Sequence, residues 1–265
     1  MKAQLLRLLY NEAIYVSMSL IFSGIEIRQL SKLAEFTEVV RLQREIWGFD
    51  DLDLLPLRLF VVASKIGGQV LGAFDGTKMI AFCLCIPGLK PGGKHYLYSH
   101  MLGVLPAYRN TGLGRKLKLE QRVYATAAGV DLIEWTFDSL ELKNAFFNIE
   151  RLGAIVRRYV HNQYGRTSSH LHGGLPTDRL VAEWWIESSR VKGLLDHGSF
   201  ERPEALARIA LPRNAGETRS RDPEQAREVQ RLAAQQFKMH FENGLAVVGF
   251  EPGEHCGTYL LGKWN

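Results

Sequence analysis

The chain has 265 residues, enough to bury a large core in one elaborated domain or two small ones. Its 46% apolar and 23% charged content is that of an ordinary soluble globular protein, and it has no internal repeat or low-complexity tract to suggest a fibrous or disordered class. The net charge of +5 suits an anionic ligand, but the basic residues are scattered; without zinc-finger spacing or an RNP-like aromatic motif, nucleic-acid binding has no support.

Residues 13–22 are a mostly apolar run behind Lys2 and Arg7, too short to span a membrane and with no A-x-A-like cleavage site after it. An extra N-terminal helix is the expectation there. Residues 25–30 read as a first strand, and Ser31 as the N-cap of a helix reaching about Trp47, whose Leu33, Phe36, Val39, Val40 and Ile46 recur at helical spacing. Pro56 opens a second helix to about Lys65. Residues 69–74 and 78–86 flank Asp75-Gly76, a strong hairpin signal. Cys83 and Cys85 lie two apart on the second of these strands, so they share a face as buried free thiols rather than forming a redox pair.

The most informative stretch comes next. Residues 96–105 form an apolar strand-like run that stops at Pro106; Arg109-Asn110-Thr111-Gly112-Leu113-Gly114 follows and leads into a helix over 113–128. A strand, a tight glycine turn and a helix N-terminus make an anion site, because glycine admits close approach and the first-turn N–H groups have no intrahelical partner. A Walker loop is excluded, since Gly114 is followed by Arg115-Lys116-Leu117. A dinucleotide fingerprint is weak, since the third glycine is replaced by Leu117. A strand over 132–137, a short helix holding Asn144 and Asn148, and strands over 155–162 and 180–186 come after it. The intervening 163–179 is rich in Gly, Ser, Thr and His, and a loop of that length often carries function. Beyond Ser188 the signals are a short strand at 208–212, a helix from Pro223 capped by Asp222 and ending at Asn243-Gly244, and strands at 245–251 and 258–261.

Residues 103–117 resemble, almost position for position, motif A of the GNAT acyltransferases with its R-x-x-G-x-G/A loop, and Asn144-Ala145 through Leu152-Gly153-Ala154 resembles motif B. The matching order of elements runs from Ile25 to Glu187, with strong motifs only from Tyr96 to Ala154. The resemblance implies a mixed α/β GNAT fold: a central, mostly antiparallel sheet with a splayed, bulged cofactor strand. The expected organisation is an N-terminal extension (1–23), a GNAT domain (24–190) and a C-terminal extension packed on the core (191–265). It further implies acetyl-CoA or another acyl-CoA as co-substrate, with Leu102, Gly103 and Val104 along the pantetheine and Gly103 the natural bulge residue. Arg109, Asn110, Thr111, Gly112, Leu113, Gly114 and Arg115 would wrap the pyrophosphate, with Asn144 and Asn148 as further polar contacts.

Proton handling is less legible. Many family members carry a tyrosine four residues before the motif B glycine as general acid; here that position is Ile149, and Tyr159 and Tyr164 could substitute only if the fold brings them back. His100, before the bulge, is the best base, with Glu134 on the neighbouring strand as second candidate. If two of Arg157, Arg158, Arg166 and Arg179 converge, a carboxylate ligand follows, as in an amino-acid acceptor or a dicarboxylic acyl donor. Asp138 and Asp178 are read as acceptor contacts or surface caps. His170 and His172 lack a third ligand, so no metal is expected. The expectation is a cytoplasmic CoA-dependent N-acyltransferase acting on a small primary amine by direct attack, with no nucleic-acid or membrane partner; the oligomeric state is left open, with a homodimer through sheet edges as one option. The alternatives are a GNAT-fold acyl-CoA sensor without turnover and, more distantly, a nucleotide-binding oxidoreductase.

Overall fold

The computed structural model describes residues 24–165 and 175–264. The N-terminal apolar run, Arg166 and the His170/His172 pair lie outside these residues. Ten strands form one sheet in the order β1-β2-β3-β4-β5-β7-β6-β9-β10-β8, every pairing antiparallel except β4 with β5. The strands are β1 (Ile25–Gln29), β2 (Gln69–Asp75), β3 (Lys78–Leu89), β4 (His95–Val104), β5 (Leu132–Phe137), β6 (Ile155–Val160), β7 (Arg179–Trp185), β8 (Ala207–Pro212), β9 (Ala246–Pro252) and β10 (Cys256–Gly262).

Helices α1 (Leu33–Trp47) and α2 (Leu57–Lys65) connect β1 to β2. Phe36, Val39, Leu42 and Ile46 of α1 and Phe60 and Ala63 of α2 are buried in one core with β2 and β3, as the helical spacing requires. Ser31 is not the cap of α1. The N-cap position is Lys32, and the orphan N–H groups of Ser31 and Lys32 are taken by the Glu35 carboxylate, at 2.9 and 3.0 Å. A charged oxygen reaching back from the first turn outcompetes the serine hydroxyl.

Helix α3 (Leu113–Ala127) makes the crossover that lets β4 and β5 run parallel. Gln121 of α3 donates to Cys85 Sγ (3.0 Å) and Ser99 Oγ (3.2 Å), so α3 covers the face that carries both cysteines, which are free and buried. A second core gathers β5, β6, β7, β9 and β10 with α4 (Leu142–Phe146) and α7 (Pro223–Glu242).

The segment after β7 contains two helices with no counterpart in the sequence reading, α5 (Ser189–His197) and α6 (Ala215–Arg221). It also extends the sheet itself: β9 joins β6 through the Val156–Val247 pair. Its docking onto the segment 138–153 is specific. Tyr259 donates its buried hydroxyl to the Ser139 carbonyl (2.7 Å), Phe250 N–H donates to Glu150 (2.7 Å), and Arg190 donates to the Gly153 carbonyl (2.8 Å).

Candidate active site

Strand β4 is paired with β3 along its whole length, but with β5 only at Leu97–Ile133 and Tyr98–Glu134. Beyond Tyr98 the two strands part. The edge of β4 facing β5 then has no strand partner, and a cleft of about 490 Å³ opens between them. His100, Met101 and Leu102 line it from β4, Thr136 and Phe137 from β5, and Trp47, Asn144 and Tyr164 from neighbouring elements.

A bulge lies at the mouth of this opening. Leu84 faces Met101 while Cys85 faces Ser99, leaving His100 as the extra residue. Gly103 is therefore not the bulge; it pairs regularly with Phe82. Glycine is required there for another reason, since a Cβ would stand 2.7 Å from Trp47 Cη2 and 2.8 Å from Ile46 Cδ1. The bulge resets the alternation. Ser99 and Leu102, three residues apart, both sit opposite cysteines of one face.

After β4, Pro106–Tyr108 forms a short 3-10 turn, Asn110 and Gly112 take left-handed backbone angles (φ +62° and +91°), and α3 starts at Leu113. Arg109 spans the base of this loop, donating Nε–H to the Val104 carbonyl (3.2 Å) and Nη2–H to the Ile46 carbonyl (3.3 Å). Thr111 donates to the Tyr108 carbonyl (2.7 Å). Both side chains thus shape the loop, and its rim is left to backbone N–H groups of the first helical turn at 113–115. A Cβ at Gly114 would meet only Leu102 Cδ2, at 3.7 Å.

Residues 34–153 match the profile of the Acetyltransferase (GNAT) family. Residues 34–153 therefore resemble a GNAT acetyltransferase domain. No curated protein matches the chain. Among solved structures, one from Streptococcus mutans UA159 is similar over 61% of this chain and 99% of its own, at 17% identity and TM-score 0.50, a likeness of fold. Arabidopsis thaliana NAA60 in complex with a bisubstrate analogue is similar over 62% and 99%, at 16% identity and TM-score 0.49. The ribosomal-protein-S18-alanine N-acetyltransferase from Escherichia coli is similar over 62% and 96%, at 17% identity and TM-score 0.47.

Within this GNAT domain the sequence-derived candidates separate. His100 and Asn144 line the cleft. Desolvation lowers the His100 pKa from its ordinary value, which favours neutral imidazole. Glu134 is buried and held by Lys90 (2.7 Å) and Arg158 (2.5 Å), and it borders a separate depression with Arg157 and Glu183. Asn148 is also buried, accepting from the Trp135 indole at 3.2 Å. It sits in a π-helical turn (Phe147–Arg151) that also buries Ile149 completely.

Of the two tyrosines, Tyr159 is engaged elsewhere, donating to Asp178 at 2.7 Å. Tyr164 does reach back. Its hydroxyl lies 2.9 Å from both Tyr98 Oη and Thr136 Oγ1, and its ring is 6.5 Å from that of His100. Burial, then the contact with Tyr164, raises the Tyr98 pKa, so that hydroxyl stays protonated. Asp178 accepts from Tyr159, from Asn162 N–H (2.9 Å) and from His161, and so pins the turn that presents Tyr164.

Two arginines converge at the floor of the cleft, though not the expected set. Arg157 and Arg158 pair with Glu183 and Glu134. Arg179 meets Asp138 at 3.5 Å, together with Arg219 of α6, which reaches Asp138 at 2.7 Å and Glu141 at 3.4 Å. No local signal marked Arg219 in the sequence. Among the described residues, no group of three or more His, Cys, Asp or Glu is placed to hold a metal, and no helix is long and apolar enough to cross a membrane.

Proposed function

We propose that this GNAT domain moves an acetyl group, or another acyl group carried by CoA, onto the primary amine of a small molecule by direct attack. The carrying observation is the unpaired edge of β4 beyond Tyr98, with His100 bulged into the cleft and the glycine loop at the strand's end. The residues present fit acyl-CoA. First-turn N–H groups at 113–115 suit the pyrophosphate, and the absence of a side chain at Gly114, which no neighbouring residue demands, suits a ligand lying against it. Leu102, Gly103 and Val104 offer backbone to an extended amide-bearing chain, as a strand partner would.

A thioester bound there leaves three tasks to this chain. His100, favoured in its neutral form, takes a proton from the acceptor ammonium. The nitrogen lone pair then forms the C–N bond as the C–S bond breaks. The departing sulfur takes its proton from the Tyr164 hydroxyl, and the second nitrogen proton restores Tyr164, whose phenol is held by Thr136 and Tyr98. An acyl-enzyme route is disfavoured because Cys83 and Cys85 face α3 and burial pushes both thiols up, Cys85 to about 11. Glu134, locked between Lys90 and Arg158, contributes charge balance rather than proton transfer in this reading. A cytoplasmic location, where acyl-CoA is available, belongs to the same proposal.

The sensor alternative draws on Ile149, which offers no hydroxyl; Tyr164 in the cleft favours turnover. Thermal unfolding with CoA, acetyl-CoA, succinyl-CoA and NAD, followed by thiol release with a panel of amines, tests both. A ligand at about 100 times its Kd adds roughly 2.7 kcal/mol, which raises Tm by roughly 5–10 °C for a chain of this size. The expected result is a shift with the CoA compounds and thiol release with at least one amine. A shift without thiol release for any amine favours the sensor, and no shift with any CoA compound removes the acyl-CoA reading.

A further inference from the structure

Beside the cleft lies a larger groove, of about 1080 Å³, whose walls come from two different parts of the chain. One wall is the GNAT domain, with Asn110 of the glycine loop and Lys143 and Phe146 of α4; the other is the C-terminal segment, including Arg213 and the turn between β9 and β10. The groove and the cleft share Glu141 and Arg219, so they meet at the Asp138–Arg219 pair. Asn110 places one end of the groove directly at the loop.

With acyl-CoA as the co-substrate, a step that rests on the reading above, we infer that the C-terminal segment forms the outer wall of the nucleotide site. Phe146 would stack on the adenine, and Lys143 and Arg213 would hold the 3′-phosphate from opposite sides. A pyrophosphate at 113–115 leaves the adenosine beside Asn110, and this groove is the space adjoining it. Phe146 is an aromatic ring left 37% exposed on its wall, which suits a flat base. The groove is not uniformly basic, since Glu141, Glu217 and Glu254 also border it.

The cations differ in how they are engaged. Arg219 is spent on Asp138 and Glu141. Among the described residues, Lys143 and Arg213 form no ion pair, and Arg213 makes only a long 3.5 Å contact to the Glu254 carbonyl. Among the described residues, Arg41, Arg44, Arg157, Arg158, Arg208 and Arg231 are each paired with a carboxylate. Two cations without an ion pair on the lining of one groove are available to a phosphate dianion.

Calorimetric titration of the full chain with CoA and with dephospho-CoA, which lacks only the 3′-phosphate, tests the assignment. Arg213→Ala and Lys143→Ala are each expected to weaken CoA about 5- to 10-fold while leaving dephospho-CoA within about twofold, the loss of one charge-assisted phosphate contact. Phe146→Ala is expected to weaken both ligands alike. Arg231→Ala, whose partner Glu228 lies on the exposed face of α7, is expected to change neither. If Arg213→Ala and Lys143→Ala leave CoA affinity unchanged, or weaken CoA and dephospho-CoA equally, the 3′-phosphate assignment is overturned while CoA binding itself stands. If wild-type protein binds neither ligand, the acyl-CoA reading fails and takes this one with it. Circular dichroism of each variant separates lost binding from lost fold, because all three side chains are at the surface of the groove.

Discussion

Arg219→Ala tests whether the C-terminal segment is bound to the GNAT-like domain through the floor of the cleft. The guanidinium is 5% exposed, donates to Asp138 at 2.7 Å and reaches Glu141 at 3.4 Å. Its removal leaves Asp138, 13% exposed, with Arg179 at 3.5 Å as its remaining ion-pair partner among the described residues. Breaking a buried pair from one side costs about 3–5 kcal/mol when the other charge is stranded. Because Arg179 still compensates in part, about 2–3 kcal/mol is expected here. For a chain of this size that lowers Tm by roughly 4–9 °C. The assay is two-state chemical and thermal unfolding of wild type, Arg219→Ala, Asp138→Asn and the double variant. The cycle should return a coupling of at least about 1 kcal/mol, since the two side chains touch. A Tm within about 1 °C of wild type, or additive single effects, would refute the claim that this pair clamps the segment.

Other consequences are equally open to measurement. His100→Gln should reduce kcat/KM by about 100-fold or more. In wild type the acid limb of the rate profile should fall below the ordinary histidine range, because desolvation lowers that pKa; a limb that survives in the variant would remove His100 as base. Gly112→Ala forces a side chain onto φ +91°, which should cost about 1–3 kcal/mol and weaken CoA; unchanged affinity in folded protein would discount the loop. Lys118 is buried against Trp135 and Ser99, and burial lowers its pKa to about 8. Its folded pKa lies below the unfolded one, so the unfolded chain holds the extra proton between about pH 8 and 10.5, and its contribution to stability improves as pH rises through that window. Lys118→Met should therefore raise stability at pH 7, by about 1–2 kcal/mol, with the advantage shrinking towards pH 10. A less stable variant at pH 7 would show the ammonium to be a net asset.

The succession of elements up to β7, the hairpin at Asp75-Gly76, the glycine loop and the buried cysteines could be read from the chain because each depends on neighbours within a few positions. The bulge could not. Gly103 supplies the local cue, but the slip is set by pairing with β3, and it falls on His100. Helix α5 went unread although Ser188 caps it, accepting from Val191 N–H, and α6 is built from poor helix formers around Gly216 and Thr218. The meeting of three hydroxyls had no sequence signature, since Tyr164 reaches Tyr98 across 66 positions and Thr136 across 28. Arg219 acts on a residue 81 positions away. Such meetings are made by topology, and no window on the sequence contains them.

The short parallel contact between β4 and β5 also has a mechanical consequence. It divides the sheet into two antiparallel blocks, the meander β1 to β4 and the group β5 to β10, each centred on its own core cluster. Among the described residues, two backbone residue pairs and the α3 crossover join the blocks along the strands, with side-chain ties such as Lys90–Glu134 beside them. The seam is a line along which the molecule should yield early under load or in hydrogen exchange. A ligand laid along it would supply the rungs that β5 withholds, and should slow exchange on both sides at once.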